Sequence, residues 1–214
     1  MEQALRAALG GKKHIIWDWN GTILDDVDYA VDTINWLLGC HQLPLLTHET
    51  YREVFDFPIR AYYDRLGFDY TVTSFEDLCH IYVERYMAGF HGCQPYPYIR
   101  RLLSEVRSVC EHQSVLSATD QQSLDDMISH FGFEALFDHV FGLDNKMAAS
   151  KIDRGLELIE TSHVSRADTL MIGDTLHDAE VADAMGIDIV LVDHGHHSGT
   201  KLLNAGRPVI HFGG

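Results

Sequence analysis

Apolar residues along this chain fall into two kinds of run. The first kind is short and stops at a polar or small residue. Such runs cover residues 14–18, 114–117, 140–142, 169–174 and 187–193, with a weaker one at 208–212. They are rich in Val, Ile and Leu and do not alternate strictly, as expected of strands buried on both faces of a parallel sheet.

The second kind recurs every three or four positions, which predicts helices between the strands. Leu102, Leu103, Val106, Val109 and Cys110 share one side of a segment that Pro97 can open. Thr119 and Gln122 form a candidate capping box before Leu124, Met127, Ile128 and Phe131, and Gly132 ends that helix. Ser150 can cap a helix carrying Leu156, Leu158 and Ile159, and residues 177–185 read as another, closed by Gly186. Strand, helix, strand repeated in this way predicts an α/β fold with a doubly wound parallel sheet.

One stretch breaks the alternation. Between about Val27 and Gln94 helical spacing continues without a convincing strand: Val27, Ala30, Val31, Ile34, Leu37 and Leu38 recur on one side. Further on, Thr50 with Glu53 can form a capping box, Pro58 can open a short helix ending at Gly67, and Ser74 can cap another. A crossover needs about a dozen residues, so the stretch reads as a helical insertion after the first strand. The expected division is a sheet-bearing unit of residues 1–25 and 95–214 and an all-helical unit of residues 26–94.

Composition narrows the function classes. The 214 residues are 46% hydrophobic and 22% charged, ordinary for a globular protein, with a formal charge of −16. That charge argues against a nucleic-acid partner, which needs clustered Lys and Arg. It leaves room for a small anion, because one bound divalent cation reverses the local field. Cys40, Cys79, Cys93 and Cys110 lack CxxC pairing and read as reduced, mostly buried thiols. No stretch approaches the roughly 20 apolar residues of a membrane span, and the N-terminus does not read as a signal peptide. A cytoplasmic location without a membrane partner is the expectation.

In open α/β sheets, ligands sit beyond the carboxyl ends of the strands. Asp18 ends the first strand, Ser117 and Thr119 follow the second, and Asp174 follows "TLMIG". Two carboxylates and a hydroxyl pair therefore converge on one expected site.

With those residues in hand, the chain resembles the haloacid dehalogenase superfamily of phosphatases. Asp18-Trp19-Asn20-Gly21-Thr22 is similar to its DxDGT nucleophile motif with one departure, and Ser117-Ala118-Thr119 to its small-hydroxyl motif. Lys151, at the head of a helix, fits the lysine motif ahead of its neighbour Lys146, and the stretch from Gly173 to Asp178, "GDTLHD", resembles the acidic motif. An insertion directly after the first motif is where the phosphoglycolate-phosphatase-like branch carries a helical C1 cap. The resemblance implies a Rossmann-like core and attack on a small phosphorylated substrate by Asp18, giving an aspartyl phosphate. It implies Ser117 and Lys151 around the phosphoryl oxygens, with Gly21, Thr22, Ala118 and Thr119 lining the substrate. Mg²⁺ is implied on Asp18, the Asn20 main-chain carbonyl and Asp174, with Asp178 in support.

Asn20 departs from the pattern. The acid normally two residues after the nucleophile serves as general acid and base, and an amide does not titrate near neutral pH. Three outcomes stay open: a leaving group that departs unprotonated, such as an acyl or aryl phosphate; a proton from elsewhere, from His177 nearby or from the helical insertion; or a slow, chiefly phosphate-binding protein. A phosphonatase is set aside because residues 27–94 contain no lysine. Arg60 is the candidate for a second anionic group on the substrate. His194, His196 and His197 lack the spacing of a zinc cage and read as a loop near the mouth of the site.

Overall fold

The computed structural model describes residues 2–144 and 150–212. In chain order the elements are α1 (Glu2–Leu9), β1 (His14–Trp17), β2 (Leu24–Asp25), α2 (Val27–Cys40), α3 (His48–Val54), α4 (Ile59–Leu66) and α5 (Phe75–Gly89). There follow β3 (Gln94–Pro95), α6 (Ile99–Val109), β4 (His112–Asp120), α7 (Gln121–Phe131), β5 (His139–Leu143) and α8 (Lys151–Ser162). The chain finishes with β6 (Thr169–Gly173), α9 (Leu176–Met185), β7 (Asp188–Val192), α10 (Gly199–Leu203) and β8 (Val209–Ile210).

Six strands form one parallel sheet in the order β5-β4-β1-β6-β7-β8. All six apolar runs became these strands. Their lack of alternation has a direct cause: both faces are covered. Ile15 and Trp17 of β1 pack with Leu5, Leu102 and Leu124 from α1, α6 and α7. Ile16, between them, joins Leu158 and Val181 from α8 and α9 on the other side. The chain order reverses about β1, between β4 and β6, which puts the switch point beyond the carboxyl end of β1.

Helices α2 to α5 bury a separate cluster that includes Ile34, Leu38, Tyr51, Tyr62, Tyr63 and Leu78. The segment leaves and rejoins the sheet-bearing part through an antiparallel pair, β2 with β3. Two residues per strand gave too little sequence pattern to be read. Two helix starts also differ from expectation. Asp120, not Thr119, caps α7 by accepting from Ser123 N, and Thr47, not Thr50, caps α3. In both cases the residue nearer the true helix start had the extended backbone that a cap requires. The caps at Ser74 and Ser150 and the left-handed glycines Gly67, Gly132 and Gly186 stand as read. The cysteines are all free, but only Cys93 is buried; Cys40 is exposed. Among the described residues no helix is long and apolar enough to cross a membrane.

Candidate active site

Five strands and helices converge on a cavity of 610 Å³ whose lining includes Asp18, Asn20, Ser117, Ala118, Thr119, Lys151, Asp174, Asp178 and His196. Asp18 is the first residue beyond β1 and Asp174 the first beyond β6, delivered by neighbouring strands. Ser117 to Thr119 occupy the stretch where the register between β4 and β5 shifts, so this part of β4 leaves its ladder and turns toward the site. Lys151 opens α8 and Asp178 sits in the first turn of α9.

Lys151 Nζ donates to Asp18 Oδ1 at 2.5 Å and to Asp178 Oδ1 at 2.6 Å, with all three side chains buried. Asp178 also closes a capping box, accepting from Thr175 N at 3.0 Å and Thr175 Oγ1 at 2.6 Å. It therefore caps α9 while its side chain also lines the cavity. Asp174 accepts from Thr22 Oγ1 at 3.1 Å and from His196 N at 2.6 Å. A Cβ on Gly195 or Gly21 would approach Asp174 Oδ2 to 2.1 or 2.3 Å, and Gly21 has φ +72°. Only glycine lets both loops close on that carboxylate.

Carboxylate oxygens of Asp18, Asp174 and Asp178 lie within 4.8 Å of one another. Three buried acids face one ammonium, and their titration reflects the imbalance. Burial, reinforced by Asp178 and Asp174 against the pull of Lys151, holds the Asp18 carboxyl well above its usual range. Burial also pushes Asp174 up to about 6, opposed by His196 and reinforced by Asp178. Asp178 is equally buried, but Lys151 and the Thr175 hydrogen bond outweigh that and hold it low. A surplus of oxygen-bearing negative charge in so small a volume suits a hard divalent cation.

Asn20 is fixed on three sides. Its amide nitrogen donates to Asp26 Oδ2 at 2.9 Å and to Tyr86 Oη at 2.8 Å, and its carbonyl accepts from Thr119 Oγ1 at 3.0 Å. Asp26 anchors this network. It takes Gly21 N at 2.8 Å and Tyr86 Oη at 2.7 Å, and faces His196 Nε2 at 3.4 Å. His196 Nδ1 shares a 2.9 Å hydrogen bond with Tyr51 Oη. Burial disfavours both charges, yet each partner overcomes it for the other: Asp26 is held low and His196 is raised to about 9.

Several expected substrate contacts lie elsewhere. Gly21 N–H is taken by Asp26 and by Leu24 O, so it is not offered to an anion. Thr22 orients Asp174 and is absent from the cavity lining. Arg60 is exposed, its guanidinium 5.0 and 5.1 Å from the ring centres of Tyr70 and Phe75, and it does not line the cavity. The aromatic neighbours of its helix outcompete the cavity for its charge. Lys146 lies outside the described residues.

The three loop histidines diverge. His194 packs between Tyr96 and Phe212, His196 meets Asp26, and His197 Nδ1 accepts from Leu176 N at 3.0 Å at the start of α9. They form no common ligand set. Asp26, His196 and Tyr86 were the residues that motif reading missed. Asp26 stood in plain view in "NGTILDD", but no family spacing marked it.

Comparison with known proteins agrees with this geometry. The model of the haloacid dehalogenase-like hydrolase family matches residues 15–192. A phosphoglycolate phosphatase of Mesorhizobium japonicum is 23% identical over 190 residues, covering 85% of this chain and 83% of its own. The haloacid dehalogenase-like hydrolase SP0104 of Streptococcus pneumoniae superposes with a TM-score of 0.81 at 21% identity, over 95% of each chain. Protein Tyrosine Kinase A of Mycobacterium tuberculosis shares the fold too, with a TM-score of 0.72 at 20% identity over 89% of this chain and 88% of its own. The fold alone therefore does not choose the reaction. With a family match across most of its length and the strand-end acids of its motifs gathered at one cavity, the chain belongs to the haloacid dehalogenase-like hydrolases.

Proposed function

We propose that the protein is a Mg²⁺-dependent phosphatase that hydrolyses a small phosphorylated substrate through an aspartyl phosphate on Asp18. The observation that carries this reading is the joint approach of Asp18, Ser117, Lys151 and Asp174 to one cavity. One Asp18 oxygen is held by Lys151, and the other attacks phosphorus in line with the departing oxygen. The Lys151 ammonium and the Ser117 hydroxyl meet the phosphoryl oxygens as charge spreads over them, while the Thr119 hydroxyl is spent on Asn20 Oδ1. Water then attacks the phosphorus of the aspartyl phosphate, releasing inorganic phosphate and regenerating the Asp18 carboxylate.

The residues fit Mg²⁺: Asp18 and Asp174 would hold it with the Asn20 main-chain carbonyl, and Asp178 would steady Lys151 beside it. The bound cation supplies the positive charge that keeps the two acids ionised side by side and offsets the phosphoryl charge.

Residues 26–94 act as a cap over a core of residues 1–25 and 95–214, closing the site against water during transfer. The closed position is held by Arg52, which donates to the carbonyls of Asp193, Gly195 and His197, and by Lys201 Nζ on Phe55 O. The test is Mg²⁺-dependent release of phosphate from an activated ester such as 4-nitrophenyl phosphate. Wild type should turn it over and Asp18→Asn should not; equal release from both would refute the assignment.

A further inference from the structure

We infer that this site takes an aryl phosphate, a phosphomonoester whose leaving group is an uncharged aromatic ring, rather than a small anionic alkyl phosphate. The inference rests on the phosphatase reading above and specifies its substrate class.

The first ground is the wall of the cavity. Beyond the acids it is lined by Tyr51, Phe55, Phe57, Tyr62, Tyr82 and Tyr86. Phe55 holds Tyr51, Phe57 and Tyr62 at ring-centre distances of 5.2, 5.5 and 5.3 Å, a continuous aromatic surface. At 610 Å³ the space suits a ring-sized ligand better than a two-carbon acid. Stacked and edge-to-face contacts with such rings favour an aromatic ligand beyond the area it buries.

The second ground is where the cations are. Lys151 is the one lysine or arginine on the lining among the described residues, and it is committed to Asp18 and Asp178 at the phosphate end. Residues 26–94 contain no lysine and four arginines. Arg52 is spent on the carbonyls of the 193–197 loop, and Arg60 lies over Tyr70 and Phe75. Arg65 donates to Val54 O, and Arg85 lies over Trp36. Of the two lining histidines, His196 is committed to Asp26 and Tyr51, and His80 is exposed. A carboxylate on the leaving group would meet no uncommitted cation on this wall among the described residues, and a buried charge without a counter-charge is costly.

The third ground is chemical. Asn20, with both its donor and acceptor sides engaged, supplies no proton to the departing oxygen. A phenol ionises near 10, whereas water, close to an alkyl alcohol, ionises near 15.7. A phenolate therefore leaves with its electron pair as the P–O bond breaks and the Asp18–P bond forms. It takes its proton from solvent, and water attack on the aspartyl phosphate later returns one proton. Wall, charge and the amide at position 20 agree on one leaving group.

The test compares kcat/KM of the Mg²⁺ holoenzyme for phenyl phosphate, benzyl phosphate, acetyl phosphate and phosphoglycolate, each against Asp18→Asn. Phenyl phosphate should exceed phosphoglycolate by about 10²-fold or more, the value of the missing acid. Benzyl phosphate, which keeps the ring but expels an alkoxide, should compete for the site at lower concentration than phosphoglycolate while reacting slowly. Acetyl phosphate, a good leaving group without a ring, should react with a high KM. Phe57→Ala should cost phenyl phosphate more in kcat/KM than acetyl phosphate. Asp18-dependent hydrolysis of phosphoglycolate at or above the phenyl phosphate rate overturns the substrate class and leaves the phosphatase intact. Phosphate release from none of the four overturns both.

Discussion

The side-chain amide of Asn20 donates at 2.9 Å to the carboxylate of Asp26, six residues further on. A neutral donor thus faces a buried anion at the position where the DxDGT motif has its second acid. An aspartate there would set two carboxylates against each other in a site already rich in them.

Asn20→Asp is therefore expected to lose about 1–3 kcal/mol of stability at neutral pH, the cost of leaving a buried group without its partner. The loss should shrink on acidification, when one of the two acids takes a proton. The double variant Asn20→Asp/Asp26→Asn should recover part of it. Thermal unfolding at pH 5 and pH 7.5 checks this; an unshifted midpoint in the single variant contradicts it.

Mg²⁺ should stabilise the metal-free protein. At a hundred times its dissociation constant, a ligand specific to the folded state adds about 2.7 kcal/mol. The increment should be larger at pH 7.5 than at pH 5, because burial holds Asp174 near 6 and raises Asp18, so protons compete with the cation. Asp174→Asn should abolish it. Titration of the unfolding midpoint with Mg²⁺ reads all three.

His196 gives a pH dependence of opposite sense. Burial alone would lower its pKa, but Asp26, with Asp174 and Asp18, raises it to about 9. The folded value lies above the unfolded value of 6.5, so its stabilising contribution is complete below about 6.5 and fades as pH rises through 9. In metal-free protein the gap between wild type and His196→Gln should be on the order of 3 kcal/mol at pH 6. Urea unfolding should show that gap closing by pH 9.5. A gap that widens with pH would contradict the Asp26–His196 pair.

Arg52 binds the helical segment to the 193–197 loop through three main-chain carbonyls. Arg52→Ala should cost about 2–4 kcal/mol, since hydrogen bonds from charged donors are worth about 1.5–3 kcal/mol each and some are replaced by water. Arg52→Lys should restore little, because an ammonium cannot span carbonyls that a planar fork reaches together. Denaturant midpoints for both variants test this.

How much of this was legible in the sequence depends on how local each feature is. The inner strands could be read because burial on both faces writes a near-continuous apolar run, as in "HIIW" and "TLMIG", whereas the half-buried edge strands β5 and β8 left shorter or weaker ones. Asp18, Ser117 and Asp174 were marked by strand ends and Lys151 by the resemblance to the lysine motif, and all four line one cavity. The β2–β3 pair was invisible at two residues per strand. Arg60 was misplaced because a sequence shows its charge but not the Tyr70 and Phe75 rings that capture it. The Asp26–His196 pair joins residues 170 positions apart, and neither forms a motif by itself.

The central claim is that Asp18 itself receives the phosphoryl group, and acid quenching of the Mg²⁺ holoenzyme during turnover of phenyl phosphate tests it most directly. Asn20 activates no water, so the intermediate should accumulate. Peptide mapping should find a hydroxylamine-labile phosphoryl group on the peptide containing Asp18, absent from Asp18→Asn. Phosphate release without that label, or the label persisting in Asp18→Asn, would contradict the account.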